Sequence, residues 1–260
     1  MNQPHLNRRH FLRTLVAGVG AAVVASTSRA GTEIIYSSEL DTGRLLYTFD
    51  DVPFDLPQMF DLVAVLKSNS CRAQFYFTGD GILKYPDSVR YLLDSNYPVG
   101  WHSMHHENMW DKQDRELVDD VRRWRRVMKE MCFRYEPTLA RFPYGSGRPE
   151  QIKLLQEEGL VLQPTLSKGV VSYNWDVDTL DWHPFRKLSS EEILSQIESH
   201  LAAADEFELS STPVVILLHL NLNHPNGFSS TTEDFSDDPD VLISHSMITS
   251  DINQFEAILV

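Results

Sequence analysis

Short apolar runs alternate with segments of helical periodicity between residues 44 and 219. Strands are predicted at 44–49, 73–77, 98–102, 138–142, 159–162, 172–176 and 213–219. Helices are predicted at 57–68, 86–95, 115–131, 149–158 and 190–204. Strands that alternate with helices at this spacing favour an α/β fold with parallel strands, either a barrel or a doubly wound sheet. The chain has 260 residues, of which 42% are hydrophobic. That is enough for one sizeable core, so a single domain is predicted.

The first thirty residues have the pattern of an export signal. Arg8 and Arg9 precede a weakly apolar stretch at 15–25, and a small-residue site ends at Ala30. The stretch is shorter than the roughly 20 residues that span a bilayer. We therefore predict a twin-arginine signal at 1–30 and a single mature domain at 31–260, which is periplasmic or secreted. After cleavage, no stable membrane insertion is expected.

The overall charge limits the partners. The formal net charge is −14, and cleavage after Ala30 would remove four arginines and no acidic residue. Such an acidic chain disfavours nucleic acids and anionic membranes as partners. The two cysteines, Cys71 and Cys132, could form a disulfide in an oxidising compartment, but each is also flanked by apolar residues that suit a buried thiol.

Polar residues cluster where the predicted strands end. Asp50 and Asp51 follow the first strand, and His102 and His106 follow the third. Because the carboxyl ends of barrel strands meet at one face, these residues predict a common site. One carboxylate and two imidazoles, from Asp51, His102 and His106, would leave an open position on a divalent cation. Zinc suits these ligands best, with Co²⁺, Ni²⁺ and Mn²⁺ as alternatives. His105 competes with His106 as the second histidine.

Five motifs occur in order along the chain. They are Thr48-Phe49-Asp50-Asp51, His102-Ser103-Met104-His105-His106, Arg141-Phe142-Pro143-Tyr144, Asp178-Thr179-Leu180-Asp181-Trp182 and Leu217-Leu218-His219. This set resembles the motifs of the polysaccharide deacetylases, the NodB-homology carbohydrate esterases of family 4. The resemblance covers roughly residues 44–219. It implies a distorted (β/α) barrel of NodB-homology type that removes N-acetyl or O-acetyl groups from a glycan with one divalent metal. A regular last strand of that barrel is not evident in the sequence.

The resemblance also implies a role for each motif residue. Asp50 would be the general base, and Arg141 would hold its carboxylate. Asp51, His102 and His106 would bind the metal. His219 would be the general acid, oriented by Asp181. The three remaining residues would contact the substrate: the backbone N–H of Tyr144 at the oxyanion, and the side chains of Trp182 and Leu217 around the acetyl group.

Two positions depart from the family pattern. Val52 follows Asp51 where glycine is usual, and a β-branched residue tolerates positive φ poorly. Trp101 precedes His102 where a small or polar residue is usual. Its side chain could stack on a sugar or pack on the barrel, and packing is the favoured interpretation.

Two other functions remain open at the level of sequence. One is a metal-free NodB-like amidohydrolase that acts on a small cyclic amide. The other is a catalytically degenerate, carbohydrate-binding barrel. Against the second, binding alone needs no matched base and acid such as Asp50 and His219. The sequence does not distinguish peptidoglycan, chitin-like oligomers, exopolysaccharide or acetylated xylan as the glycan.

Overall fold

The computed structural model describes residues 44–132, 135–167, 170–183, 185–186, 188–206 and 212–220. The predicted export signal at 1–30, the polar segment at 221–240 and a predicted helix at 248–260 lie outside these residues. So does the side chain of Cys132. Cys71 carries a free, buried thiol.

Parallel strands form the main sheet, as the sequence predicts. In chain order the strands are β1 Leu45–Asp51, β2 Ala73–Phe77, β3 Val99–Trp101, β4 Leu139–Ala140, β5 Val161–Leu162, β6 Thr165–Ser167, β7 Val170–Ser172, β8 Val177–Asp178 and β9 Val214–Leu220. Seven of them pair in parallel in the order β5-β4-β3-β2-β1-β9-β8. The strand predicted at 172–176 is wrong. Ser172 instead ends β7, which pairs antiparallel with β6.

Six helices connect or flank these strands in the described residues. They are α1 Leu56–Ser68, α2 Gly79–Lys84, α3 Pro86–Asp94, α4 Asp114–Cys132, α5 Pro149–Glu157 and α6 Ser190–Glu206. Helix α2 has no counterpart among the predicted helices. It begins after Thr78, whose hydroxyl caps it by accepting a hydrogen bond from the backbone N–H of Gly81 at 3.1 Å. None of the described helices has the length and apolar character needed to cross a bilayer.

The core lies on both faces of β1 and its neighbours. A strand that is covered on both faces is expected to be a nearly continuous apolar run, as β1 largely is. Every residue of β1 is buried, including its polar ones. Trp101, on β3, is also fully buried. Its ring meets Phe142 edge-on at 5.6 Å between centroids, and its indole N–H donates to Asp120 at 2.8 Å. Trp101 therefore packs between the sheet and helix α4, in line with the packing favoured from the sequence.

Strands β5 and β8 form the two edges of the sheet. Across the gap between them, Asn174 contacts the turn that follows β4. The Asn174 side-chain amide donates to the Gly145 carbonyl at 3.2 Å, and the Asn174 carbonyl accepts from Arg141 at 3.2 Å. These contacts link the segment before β8 to the turn after β4 without a regular strand pair.

Candidate active site

The first two site residues end the central strand β1. Asp50 and Asp51 are 3% and 2% exposed. Neighbouring residues of a regular strand point to opposite faces, which would separate the two carboxylates. Asp51 has φ 77°, however, so the backbone turns at this residue. As a result, Asp50 Oδ2 and Asp51 Oδ1 both approach His102 Nε2, at 3.7 and 3.4 Å. Val52 has no positive φ, so the strain expected there falls on Asp51 instead.

The predicted metal ligands come together in a buried cluster. Asp51 Oδ1 lies 3.0 Å from His106 Nε2, and one ligand atom from each of Asp51, His102 and His106 lies within 4.8 Å of the others. The Nδ1 atom of His102 is 3.0 Å from the Arg141 carbonyl, which can only accept. Nδ1 therefore carries the proton, and Nε2 presents a lone pair to the cluster.

This donor set fits a divalent cation. Asp51 Oδ1 is buried and accepts no hydrogen bond from the described residues, although two imidazole nitrogens face it. Burial alone would raise the pKa of Asp51, but the adjacent imidazoles of His102 and His106 hold it well below its usual range. A buried carboxylate oxygen without a hydrogen bond, beside two imidazole nitrogens, is an arrangement that a divalent cation would complete.

The neighbouring histidine is excluded from this cluster. His105 is exposed, and its Nδ1 lies 2.9 Å from Asp80 Oδ2. His106 is buried and faces Asp51. Of the two candidates left open by the sequence, His106 is the residue that joins the cluster.

Asp50 is paired with a buried arginine, as predicted. Arg141 Nη1 donates to Asp50 Oδ1 at 2.8 Å and to Thr48 Oγ1 at 2.7 Å. The Thr48 hydroxyl in turn donates to the Ile216 carbonyl at 2.8 Å. The guanidinium also lies over the Tyr76 ring, 4.4 Å from its centroid. Because Oδ1 is occupied by Arg141, Oδ2 is the Asp50 oxygen that remains on the side of the histidines.

His219 forms the second charged pair of the site. It is the direct register partner of Asp50, on the adjacent strand β9, so both side chains lie on the same face of the sheet. Asp181 holds it twice: Oδ2 accepts from the His219 backbone N–H at 2.7 Å, and Oδ1 accepts from Nδ1 at 2.8 Å. The His219 Nε2 atom is thereby left to face the site.

The electrostatics favour a protonated His219. Burial lowers the pKa of this imidazole, but Asp181, assisted by Asp51 and Asp50, outweighs burial and raises the pKa to about 9. A divalent cation beside Asp51 would offset part of the contribution from Asp51 and Asp50. The hydrogen bond from His219 Nδ1 to Asp181 would remain and would still raise the pKa of His219.

The three predicted substrate-binding residues lie near these groups. Tyr144 is half-exposed, and its ring meets His106 at 4.6 Å between centroids. Leu217 is buried and lies two residues before His219 on β9, hence on the same face. The Trp182 indole N–H donates to Asp178 Oδ1 at 3.2 Å.

Unusual backbone conformations concentrate around the cluster. Among the described residues, positive φ occurs at seven non-glycine positions, and five of these belong to the predicted motifs. They are Asp51, Ser103, His106, Tyr144 and Leu180. Each such residue costs on the order of 1–3 kcal/mol and persists only where its surroundings enforce it. This concentration is typical of a functional site.

Sequence reasoning missed three residues that support the site. Thr48 and Tyr76 contact the Arg141 guanidinium, and Asn174 accepts from it through its carbonyl. Thr48 could have been found, since it lies two residues before Asp50 on the same strand face. Tyr76 and Asn174 gave no local signal, because their contacts with Arg141 join segments that are distant in sequence.

The fold and the cluster together define a class: an α/β barrel with a two-histidine, one-carboxylate group at the carboxyl ends of its strands. Residues 38–162 match the family model described as polysaccharide deacetylase. The predicted resemblance to this family is thus confirmed. The matched region includes Asp50, His102 and Arg141 but ends before Asp181 and His219.

Two curated relatives illustrate the similarity. A peptidoglycan-N-acetylglucosamine deacetylase of Bacillus cereus is 24% identical over 147 residues, covering 56% of this chain and 49% of the relative. A chitooligosaccharide deacetylase of Bradyrhizobium is 26% identical over 149 residues, covering 56% of this chain and 62% of the relative. The chain therefore matches only about half to two thirds of the length of these proteins.

Solved structures confirm the fold. A Streptococcus mutans CE4 esterase superposes with a TM-score of 0.55 at 18% identity, covering 84% of this chain and 81% of the other. A family 4 carbohydrate esterase from Streptomyces lividans gives 0.52 at 20% identity, covering 82% and 90%. A CE4 family pseudoenzyme from Bacillus anthracis also gives 0.52, at 18% identity, covering 81% and 60%. Since a pseudoenzyme has the same fold, the case for activity must come from the site residues.

Proposed function

We propose that this protein is a metal-dependent hydrolase that removes acetyl groups from a glycan, with Asp50 as general base and His219 as general acid. The supporting observation is the pairing of both groups with fixed partners on either side of the Asp51, His102 and His106 cluster. Arg141 orients the carboxylate of Asp50, and Asp181 orients the imidazole of His219. A binding protein has no need of two such pairs.

Asp51, His102 and His106 would hold the metal, with zinc the best match to these ligands and Co²⁺, Ni²⁺ or Mn²⁺ as alternatives. When bound there, the cation would polarise the acetyl carbonyl and lower the pKa of a nearby water towards about 7. All three ligands are buried.

The base acts at a defined atom. Asp50 Oδ1 is held by Arg141, so the proton of the attacking water passes to Oδ2, the oxygen nearer His102. Arg141 has a positioning role in this step. It fixes the direction of the carboxylate, and the Thr48 hydroxyl fixes Arg141 in turn.

The acid acts from the neighbouring strand. Because Asp181 accepts from Nδ1, the transferable proton of His219 sits on Nε2, from which it passes to the departing nitrogen or oxygen. The backbone N–H of Tyr144 is proposed to bind the oxyanion, and Trp182 and Leu217 to contact the acetyl methyl group. The contact between Tyr144 and His106 supports the first of these roles.

The substrate is proposed to be an N-acetylated glucosamine polymer. The relatives named above are a peptidoglycan-N-acetylglucosamine deacetylase and a chitooligosaccharide deacetylase. The predicted export signal adds weight to peptidoglycan, because a periplasmic or secreted enzyme would meet it. We accordingly propose an extracytoplasmic location reached by twin-arginine export.

The proposed activity can be tested by offering the protein a panel of substrates. Chito-oligosaccharides, peptidoglycan fragments, acetylated xylan and a small cyclic amide would be compared for acetate release or ring opening. Acetate release from the first two is expected. Turnover of the cyclic amide alone would favour the amidohydrolase, and binding without turnover would favour the degenerate barrel.

A further inference from the structure

The segment 102–106 carries two of the proposed metal ligands but has little regular structure of its own. Two of its residues, Ser103 and His106, have positive φ, at 61° and 55°. A segment in this conformation must be held from outside if its imidazoles are to stay in place. One support is the start of α2, where the backbone N–H groups of Gly79 and Asp80 donate to the Ser103 and Met104 carbonyls, each at 3.0 Å.

A second support comes from Asp120 on α4. Its Oδ1 accepts from the Trp101 indole N–H at 2.8 Å, and the Met104 backbone N–H lies 3.2 and 3.1 Å from its two oxygens. Asp120 is only 8% exposed. One buried carboxylate thus holds the chain immediately before His102 and again in the middle of the segment.

The surface beside Asp120 is polar. A cavity of about 180 Å³ lies beside Asp120 and is lined mostly by charged side chains, including Glu116, Asp119 and Arg123. Trp101 and Met104 are themselves buried in the core. The hydrogen bonds to Asp120 add directional contacts that apolar packing does not supply, so they fix the backbone position of the segment.

We propose that Asp120 is a positioning residue for the metal site, which fixes the spacing of His102 and His106 by holding Trp101 and Met104. Asp120 does not itself contact the ligand cluster. It acts through the backbone that carries the two imidazoles. The inference rests on the proposed metal-dependent function and extends it to a residue outside the five motifs.

The test measures zinc affinity of the metal-free full-length protein by calorimetry, with zinc alone as the probe. Asp120→Ala is expected to weaken zinc binding about 10- to 100-fold, the effect usual for residues that orient metal ligands. Trp101→Phe removes one of the two donors and should weaken binding less. Asp119→Ala, at an exposed neighbour on the same helix, is the matched control and should bind like the parent.

A merely structural role would lower stability without changing zinc affinity. If Asp120→Ala folds and its zinc affinity stays within about twofold of the parent, the inference is overturned. If that variant does not fold, Asp120→Asn and Trp101→Phe decide: unchanged zinc affinity in both overturns it, and weakened affinity supports it. A parent protein that binds none of Zn²⁺, Co²⁺, Ni²⁺ and Mn²⁺ overturns the proposed function, and the inference with it.

Discussion

Adjacent aspartates at the end of β1 take different contacts because the backbone changes between them. Asp50 keeps the strand conformation and meets Arg141, whereas Asp51 turns to positive φ and meets the two histidines. A single strand end thereby supplies both a proposed base and a proposed metal ligand. We therefore expect substitutions of Asp50 and of Asp51 to have different effects on zinc binding and on activity.

Asp50→Asn should retain zinc and lose most activity. The amide keeps the shape of the carboxylate but cannot accept the proton of water, so kcat should fall by at least about 100-fold. Zinc content and acetate release measured on the same sample would check this. Asp61→Asn, at an exposed position on α1, is the control and should behave as the parent. Turnover near the parental value in Asp50→Asn would remove Asp50 from the base role.

Asp181→Asn should shift the pH dependence of the reaction. His219 must be protonated to act, so kcat/KM should fall as the pH rises through its pKa, which Asp181 raises. Without the charge of Asp181 that pKa drops, and the alkaline limb of the pH–rate profile should move to lower pH. His219→Gln should abolish the limb altogether. Identical alkaline limbs in the parent and both variants would show that His219 is not the acid.

At the scale of elements, the site depends on strand register and on one buried side chain that links distant segments. The pairing of β1 with β9 sets Asp50 beside His219. Arg141, which follows β4, reaches across to Asp50 on β1 and to the carbonyl of Asn174. Both members of the Arg141 and Asp50 pair are nearly fully buried, at 1% and 4% side-chain exposure. Removing one member therefore leaves the other as an unpaired buried charge.

Arg141→Met should destabilise the metal-free protein by about 3–5 kcal/mol, because it leaves the Asp50 carboxylate unpaired. The double variant Arg141→Met with Asp50→Asn should recover part of this loss, since the unpaired charge is removed. Urea unfolding of the parent, both single variants and the double variant would measure the coupling. Strictly additive losses would contradict a buried ion pair of this kind.

The sequence predicted the parallel strands well, because apolar runs that end in polar residues are a local signal. It located all three members of the ligand cluster for the same reason. It missed α2, which is six residues long and contains Gly79 and Gly81, too short for a clear helical period. The choice between His105 and His106 depended on the turn at Ser103, which no spacing rule gives. The hydrogen bond between Trp101 and Asp120 likewise joins two separate elements, so no local sequence pattern predicts it.

At the level of the whole molecule, the acidic composition bears on the partners of the protein, and the N-terminal pattern bears on its proposed location. A net charge of −14 disfavours nucleic acid as a partner. Twin-arginine export carries folded proteins, so the proposed metal could be acquired before export.

Replacing Arg8 and Arg9 together by lysine should block export while leaving the fold unchanged, because the twin-arginine pathway reads the arginine pair. Cell fractionation of the full-length protein and the double variant would locate each. The variant Arg29→Lys, which leaves the arginine pair intact, is the control and should be exported. Equal export of the parent and the double variant would contradict the proposed route.

Metal dependence can be tested by a zinc titration of the metal-free protein during acetate release from chito-oligosaccharides or peptidoglycan fragments. We predict no release without metal, a linear rise as zinc is added, and a plateau at one zinc per chain. His102→Ala, which removes one ligand of the cluster, should show no such rise. Full acetate release from the metal-free protein, unaffected by zinc, would contradict the account.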